Sequence, residues 1–230
     1  MQPSAGSLHL SRAEYWCYLS CMTHHASAAR PPFLYVSGNP ALDLVNTVDW
    51  TSRGPEDERI QTYEQATRWA EGAGTLGAAA GRRLRLLAAE RPRAAASALE
   101  YLYRTRATLH ELLGAIARGA APGDALPRFN RLLADVMGRL EVAPRVSGQG
   151  HPGFGWRWRG EGSDLRALVW PVVWSAASLL ESEEVGSVRI CGGDDCGWMY
   201  VDRSRNGLRR WCQMRTCGTR EKTRRRRESA

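Results

Sequence analysis

The chain has 230 residues, 43% of them hydrophobic, which suits one ordinary domain with a small additional module. No stretch approaches eighteen consecutive apolar residues, which argues against a membrane-spanning helix. The net charge of +8 is concentrated at one end: from Gly186 onwards, twelve Lys and Arg residues stand against five acidic ones, while residues 1–185 are almost neutral. Such asymmetry is typical of a module that meets a polyanion.

The first 32 residues show no sustained hydrophobic period and end in the linker-like Ala29-Arg-Pro-Pro32, so we expect a poorly ordered extension. No basic region precedes a clean apolar run, and no secretory signal is predicted. We therefore expect a cytoplasmic protein, in which disulfides are rare. Cys17 and Cys21, with His24 and His25, have the look of a second metal site, but nothing around them supports a folded module.

Amphipathic stretches predict helices over much of residues 33–185. The first begins at Thr62, which has capping-box spacing with Gln65 and is followed by apolar residues on one helical face. The second carries apolar residues at helical spacing from Leu99 to Ile116. The third is expected to begin at Asp124 as its N-cap.

A fourth and clearer helical pattern starts at Asp164 and keeps its rhythm over four turns. Pro171 lies inside it and is expected to kink the helix. Between the third and fourth helices, residues 141–146 and 154–159 flank a glycine-rich turn, which predicts a short β-hairpin. The expected domain is mainly α with one hairpin.

Four cysteines near the C-terminal end have the spacing of a structural zinc site. The pattern is Cys-x4-Cys-x15-Cys-x4-Cys, formed by Cys191, Cys196, Cys212 and Cys217. Zinc in a structural site takes four tetrahedral ligands, usually as two close pairs separated by a loop. Fifteen residues between the pairs are enough for a hairpin that returns the second pair to the first. One structural Zn²⁺ is therefore expected as the cofactor.

Two strands, Met199–Val201 and Leu208–Trp211, are expected between the cysteine pairs, with a helix after the last cysteine. The result would be a treble-clef-like module of knuckle, hairpin and helix. Two disulfides or an iron–sulfur cluster are the alternatives, but the first are rare in a cytosolic chain and the second usually has tighter spacings. Four cysteines close the coordination shell, and no nucleophile–base pair is visible elsewhere, so we expect no enzymatic activity.

This C-terminal region resembles the CGNR zinc finger. The resemblance rests on the paired cysteines, on the stretch Asp202-Arg-Ser-Arg-Asn-Gly-Leu-Arg-Arg-Trp-Cys212 and on the end Cys217-Gly-Thr-Arg220. The preceding domain is similar to the ABATE domain, mainly at its opening Ser37-Gly-Asn-Pro-Ala-Leu-Asp-Leu-Val-Asn-Thr-Val48, followed by Arg53-Gly54. Together the two matches cover about residues 33–222.

The resemblance implies a bacterial, stress-responsive transcriptional regulator whose zinc ligands are the same four cysteines. The family motif has Asn where this chain has Thr219, which leaves any base-contacting role of that Asn in doubt here. The expected division is a poorly ordered extension over 1–32, a helical ABATE-like domain over 33–185, a zinc finger over 186–224 and a basic tail over 225–230.

The basic residues around the cysteines predict a nucleic-acid partner, with double-stranded DNA favoured, because the planar arginine fork pairs with phosphate or with a guanine edge. The candidate contacts are Arg203, Arg205, Arg209, Arg210, Arg215, Arg220, Lys222, Arg224 and Arg227. A DNA-binding regulator would be nucleoid-associated, and its helical domain would sense a signal or form a homodimer. The alternative is a zinc module that binds RNA or a partner protein.

Overall fold

A computed structural model describes residues 33–146 and 152–228, so the N-terminal extension with its cysteines and histidines lies outside the described residues. The elements in chain order are α1 (Pro40–Val45), β1 (Asp49–Thr51), β2 (Gly54–Glu56), α2 (Tyr63–Gly72), α3 (Ala78–Glu90), α4 (Pro92–Ala117), α5 (Ala125–Met137), β3 (Leu140–Val146), β4 (Pro152–Trp158), α6 (Trp170–Glu181), β5 (Val188–Ile190), β6 (Met199–Val201) and α7 (Thr219–Glu228). The strands pair antiparallel as β1–β2, β3–β4 and β5–β6. The predicted mainly α fold is confirmed, and the helical domain contains the β1–β2 pair in addition to the one hairpin that was predicted. Within the described segments, no helix is long and apolar enough to cross a membrane.

The helix α2 begins at the predicted capping box. The hydroxyl of Thr62 accepts a hydrogen bond from the Gln65 N–H at 3.1 Å, and Gln65 Oε1 accepts one from the Thr62 N–H at 3.0 Å. These two bonds satisfy N–H groups that a helix start leaves without partners. Trp69 and Ala70 on the predicted apolar face are fully buried. The sequence pattern therefore located both the start and the buried face of this helix.

The longest helix, α4, is the centre of the fold, with α1, α2, α3, α5 and β5 packed around it. It spans 26 residues, which corresponds to about 39 Å. Its buried stripe includes Leu102, Leu109, Leu112 and Leu113. Pro92 occupies its first position, where the missing N–H of proline costs no helical hydrogen bond. The helix consequently begins seven residues before the predicted apolar pattern.

Two predictions about the fourth helix are wrong. The segment from Asp164 to Val169 forms a turn and a short 3₁₀ helix (Ala167–Val169), and α6 begins only at Trp170. Pro171 therefore lies in the first turn of α6, where its ring meets no preceding helical carbonyl and causes no kink. Asp164 instead accepts the N–H of Arg166 at 2.9 Å and pairs with Arg139 at 2.8 Å, which fixes the turn.

The predicted β3–β4 hairpin is present, with Val142 opposite Trp156 and Leu140 opposite Trp158. Its two faces differ. Trp158 is partly buried, with its ring centroid 6.2 Å from that of Trp170 in the core. Val142, Phe154 and Trp156 are exposed on the surface. Alternation along the strands thus separates a core-facing tryptophan from a solvent-facing one.

A buried ion pair joins α4 to the loop that follows β2. The guanidinium of Arg106 meets both carboxylate oxygens of Glu58, and its Nη1 also donates to Thr47 Oγ1 at 2.8 Å. The Arg106 side chain is fully buried, and that of Glu58 is 6% exposed. The Glu58 carboxylate also accepts a hydrogen bond from the N–H of Ile60 at 2.9 Å. This charged cluster ties the end of the α1 region to the middle of α4.

The imidazole of His110 on α4 stacks on the indole of Trp50 in β1. The ring centroids are 3.6 Å apart and the planes differ by 9°. Burial, together with the nearby positive charges of Arg118 and Arg106, lowers the pKa of His110 from 6.5 to about 3. The ring is therefore neutral throughout the physiological range.

We expect this histidine to make the protein less stable in mild acid. The unfolded chain binds a proton at His110 below pH 6.5 while the folded chain does not, so stability falls as the pH falls. Between pH 7 and pH 5 the free energy of unfolding should drop by about 2 kcal/mol more in the wild type than in His110→Phe, which keeps a ring on Trp50. Urea unfolding at both pH values measures this difference, and equal drops in the two proteins would contradict the shifted pKa.

Candidate metal centre and basic surface

The four predicted cysteines converge on one point although they come from separate segments. Cys191 follows β5, Cys196 precedes β6, Cys212 lies in the loop beyond β6, and Cys217 lies in a π-helical turn (Met214–Gly218) that leads into α7. Their sulfur atoms all lie within 4.8 Å of one another, and Cys212 Sγ is 3.6 Å from Cys217 Sγ. Tetrahedral zinc with Zn–S bonds of about 2.3 Å places its sulfurs about 3.8 Å apart. The donor set therefore fits one Zn²⁺.

The first knuckle is shaped by hydrogen bonds to sulfur and by glycines that allow close approach. Cys191 Sγ accepts the N–H of Cys212 at 3.2 Å and that of Gly193 at 3.4 Å. Such bonds orient a thiolate ligand and delocalise its charge. A Cβ on Gly193 would lie 3.0 Å from Cys217 Cβ and 3.1 Å from its sulfur. A side chain at this position would therefore crowd Cys217, and the constraint is space rather than backbone angle.

The packing of four thiols also favours a bound cation. Hydrogen bonds from the thiols of Cys196 and Cys212 lower the pKa of Cys191. The same contact with Cys191, together with burial, raises the pKa of Cys212. Cys191 can thus ionise readily while Cys212 resists ionisation, because adjacent thiolates repel one another. A divalent cation at the centre removes that conflict, since zinc binds cysteine as thiolate.

The hairpin of the module differs from the predicted one. Met199–Val201 forms β6 as expected, but its partner is β5 (Val188–Ile190), so the strands flank the first cysteine pair. Leu208–Trp211 is not a strand. Asp202 explains the difference, because it accepts the N–H groups of Ser204 and Arg209 at 2.9 and 3.0 Å and closes the intervening loop.

The module is held against the helical domain by hydrogen bonds from the segment that opens that domain. The side chain of Asn46 donates to the Met199 carbonyl at 2.8 Å and accepts the Met199 N–H at 3.0 Å, so it pairs with β6 as a strand would. Trp198 Nε1 donates to the Val48 carbonyl at 3.0 Å. Hydrophobic patterning had not indicated this role of Asn46; its place in the opening motif was the one available signal.

Further backbone hydrogen bonds join the zinc module to the segment that opens the helical domain. The N–H of Gly197 donates to the Trp50 carbonyl at 2.7 Å, and a Cβ on Gly197 would lie 2.7 Å from Trp50 Cβ. The N–H of Val201 donates to the Ser37 carbonyl at 2.8 Å. Trp198, Met199 and Tyr200 are buried in the same hydrophobic core as the helices. The zinc-binding segment and the helical domain thus share one core.

Three of the nine predicted nucleic-acid contacts are engaged within the protein. Arg203 pairs with Glu184, with a shortest N–O distance of 2.5 Å. Arg209 donates to the carbonyls of Val36, Trp211 and Cys212 at 2.5 to 3.0 Å, and its guanidinium lies 4.0 Å from the Tyr200 ring centroid. Arg224 pairs with Glu221 and Glu228 on α7.

The Glu221 carboxylate pairs with both Arg224 and Arg225. Hydrogen bonds from Arg224 and Arg225 lower the pKa of Glu221 to about 2, so it stays ionised at any physiological pH. Arg209 packs against the second cysteine pair, which makes it a stabiliser of the metal centre. Arg203, Arg209 and Arg224 therefore have intramolecular partners, which the number of basic residues in the sequence could not reveal.

The other six predicted contacts are exposed and form no ion pair with any of the described residues. They are Arg205, Arg210, Arg215, Arg220, Lys222 and Arg227. Arg220, Arg224 and Arg227 share one face of α7, where they line a shallow groove. The helix continues to Glu228 and so includes most of the basic tail.

Thr219, the residue that departs from the family motif, is the first residue of α7. Its hydroxyl donates to the Met214 carbonyl at 3.1 Å, and its side chain is exposed. Thr219 thus makes a local hydrogen bond at the start of the helix. The bond closes the π-helical turn that carries Cys217.

Comparison with known proteins agrees with both parts of this architecture. Residues 187–229 match the family model of the CGNR zinc finger, and residues 38–183 match that of the ABATE family, which is described as "Putative stress-induced transcription regulator". No curated protein matches the chain. The ABATE match covers more than half of the chain, and the CGNR match covers the four converging cysteines together with α7. The chain belongs to the ABATE family and carries a CGNR zinc finger at its C-terminal end.

Proposed function

We propose that the protein is a DNA-binding transcriptional regulator whose C-terminal module is folded around one structural Zn²⁺. The observation that carries the proposal is the set of six exposed basic side chains that form no ion pair with any described residue and surround a cluster of four cysteines. Cationic side chains without acidic partners are free to replace the counterions of a phosphate backbone. The family description as a transcription regulator supports the same reading.

A structural role for the zinc is supported by the ligand chemistry. Catalytic zinc keeps an open position beside three protein ligands, whereas four thiolates fill the shell. Two of the four cysteines, Cys191 and Cys212, also take part in backbone N–H···S hydrogen bonds, which lock the ligand geometry. We therefore infer that the protein is not an enzyme and that the bound metal cross-links the two chain segments that carry the cysteine pairs.

The zinc charge does not cancel the basic character of the module. One Zn²⁺ with four thiolates contributes about −2 to a segment whose side chains otherwise sum to +7. The remaining excess is distributed over α7 and the loop beyond β6, the two elements that follow and precede the second cysteine pair. Phosphate contacts from these arginines would position the protein on a duplex, and base contacts would have to supply sequence specificity.

Because α7 follows directly on the turn that carries Cys217, and the module is hydrogen-bonded to the helical domain, the basic face is connected to that domain through the zinc module. A helical domain that sensed a signal or formed a homodimer would therefore also orient α7. Association with the nucleoid would follow from DNA binding.

Replacing Arg220 and Arg227 by glutamine should weaken duplex binding without disturbing the fold, since neither side chain has an ion pair among the described residues. Each lost phosphate contact reduces the slope of log K against log [salt] by about one, so the double variant should lose about two. Fluorescence anisotropy with a labelled duplex at several salt concentrations measures the slope. Arg82→Gln with Arg93→Gln, two exposed arginines on α3 and α4, is the charge-matched control and should retain the slope.

The same titration with single-stranded DNA and RNA separates the proposal from its alternative. Stronger binding to RNA than to the duplex, with loss in the Arg220 and Arg227 variant, would favour an RNA-binding module. Equal slopes for wild type and that variant on every nucleic acid would instead favour a protein-docking module.

A further inference from the structure

A cleft of about 1060 Å³ lies where the helical domain meets the zinc module. Its walls come from α4, α5 and the β1–β2 hairpin, and Ile190, Gly197 and Met199 of the zinc module also line it. Small-molecule sites occupy roughly 300–1,000 Å³ and favour such junctions between domains. None of the DNA-binding candidates of α7 lines this cleft, so its chemistry is separate from the proposed function.

The charged lining of the cleft is predominantly cationic. Five arginines line it, together with the carboxylates of Glu111 and Asp135. Each carboxylate is already engaged: Glu111 pairs with Arg128, and Asp135 accepts a hydrogen bond from the Tyr101 hydroxyl at 3.5 Å. The five arginines are Arg104, Arg118, Arg128, Arg131 and Arg166.

Two of these arginines lie on neighbouring helices that line the cleft, and they have no acidic partner among the described residues. The contacts Tyr101–Asp135 and Arg128–Glu111 set the antiparallel register of α4 and α5. Arg104 on α4 lies between the first and second contact, and so does Arg131 on α5. Neither forms an ion pair with any of the described residues. Two like charges on neighbouring helices repel each other, and an anion between them would convert that repulsion into two attractive contacts.

The floor of the cleft beside these charges is aromatic. Trp50, Tyr101 and His110 all line it, with the Trp50 and His110 rings stacked. The low pKa of His110, caused first by burial and then by Arg118 and Arg106, indicates a positive potential at this floor as well. An apolar, partly aromatic floor below cationic walls is suited to an organic anion rather than to a simple inorganic ion.

We propose that this cleft binds a small organic anion through phosphate or carboxylate groups held between Arg104 and Arg131. Arginine suits the role because its planar fork donates two parallel hydrogen bonds to either group. Gly197 and Met199 of the zinc module also line the cleft, so the ligand would touch both parts of the protein. The proposal does not depend on DNA binding, because its arginines belong to the helical domain.

Calorimetric titration of the full-length, zinc-loaded protein tests the site. ATP serves as the phosphate probe, citrate as the carboxylate probe and adenosine as the uncharged control. Saturable one-to-one binding of ATP or citrate, but not of adenosine, is expected. Arg104→Gln with Arg131→Gln should weaken that binding at least about tenfold, because two charge-assisted hydrogen bonds are lost. Whichever probe binds identifies the anionic group.

Two control variants decide whether the anion sits in the cleft. Arg82→Gln with Arg93→Gln removes the same charge elsewhere, and Arg220→Gln with Arg227→Gln removes it from α7; both should change affinity less than twofold. An equal loss in either control, or no saturable binding of ATP and of citrate at millimolar concentration, would overturn the proposal. Failure here would leave the salt dependence of DNA binding unaffected, so the two proposals fail separately.

The melting temperature of the zinc-loaded protein without any anion provides an independent test. Arg131→Glu would place a carboxylate opposite Arg104 and replace a repulsive contact by an attractive one. This variant should melt at a higher temperature than the wild type without anion and should no longer gain stability from the probe. A lower melting temperature in a variant whose helix content is unchanged would contradict the opposed-charge geometry.

Discussion

Cys212→Ser is expected to abolish zinc binding and to unfold the C-terminal module. Cys212 is buried, its sulfur lies 3.6 Å from Cys217 Sγ, and its N–H donates to Cys191 Sγ. A serine hydroxyl is a poor substitute for a thiolate, and structural zinc sites contribute their binding free energy directly to folding. Because the module shares the core of the helical domain, thermal unfolding of the whole chain should shift to lower temperature.

Metal analysis of the purified variant measures the first effect and circular dichroism melting the second. Cys17→Ser with Cys21→Ser is the matched control, since these cysteines lie outside the proposed ligand set. This control should keep one equivalent of zinc and its melting temperature. Retention of one equivalent by Cys212→Ser would rule out the four-cysteine centre, and loss of zinc in the control would revive the N-terminal cysteines as ligands.

The second large effect is expected at the buried ion pair between Arg106 and Glu58. Arg106→Met should lower the free energy of unfolding by about 3–5 kcal/mol, because it leaves the Glu58 carboxylate buried without its cation. Thr47 would also lose its hydrogen bond from the guanidinium. Urea unfolding of the zinc-loaded protein measures the change.

Two comparisons identify the cause. Arg106→Met combined with Glu58→Leu should recover part of the loss, since no charge is then buried, although the N–H of Ile60 still loses its acceptor. Arg68→Met breaks an exposed pair with Glu64 on α2 and should cost less than about 1 kcal/mol. If Arg106→Met and Arg68→Met were equally mild, the Arg106–Glu58 pair would not be a buried electrostatic contact.

Local signals in the sequence predicted the helices well where capping and periodicity agreed. Thr62 and Gln65 gave the start of α2, and leucine spacing gave the buried face of α4. The predicted start of a helix at Asp164 was wrong for a physical reason. Its carboxylate closes a turn through contacts with Arg166 and Arg139 and does not cap a helix. A short polar side chain suits either role, and only the tertiary contact decides between them.

The convergence of the four cysteines was predictable because structural zinc requires four ligands of few kinds, usually as two close pairs, and the cysteine spacing matches that requirement. The strand pairing around them was not, because β5 has three residues and pairs across the knuckle rather than between the cysteine pairs. Nor could charge alone separate Arg209, bound to backbone carbonyls, from Arg205, which is free among the described residues. The cleft depends on the register of α4 against α5, which no local pattern encodes.

The double hydrogen bond between Asn46 and Met199 has a consequence for biosynthesis. Its two residues are 153 positions apart, so the α1 region emerges from the ribosome long before its strand-like partner exists. Until then the amide of Asn46 and the carbonyls of Val48 and Trp50 lack their final partners. Completion of the core must therefore wait until the segment around Met199 has been synthesised. A chain starved of zinc would keep this face open, as a natural target for chaperones and proteases.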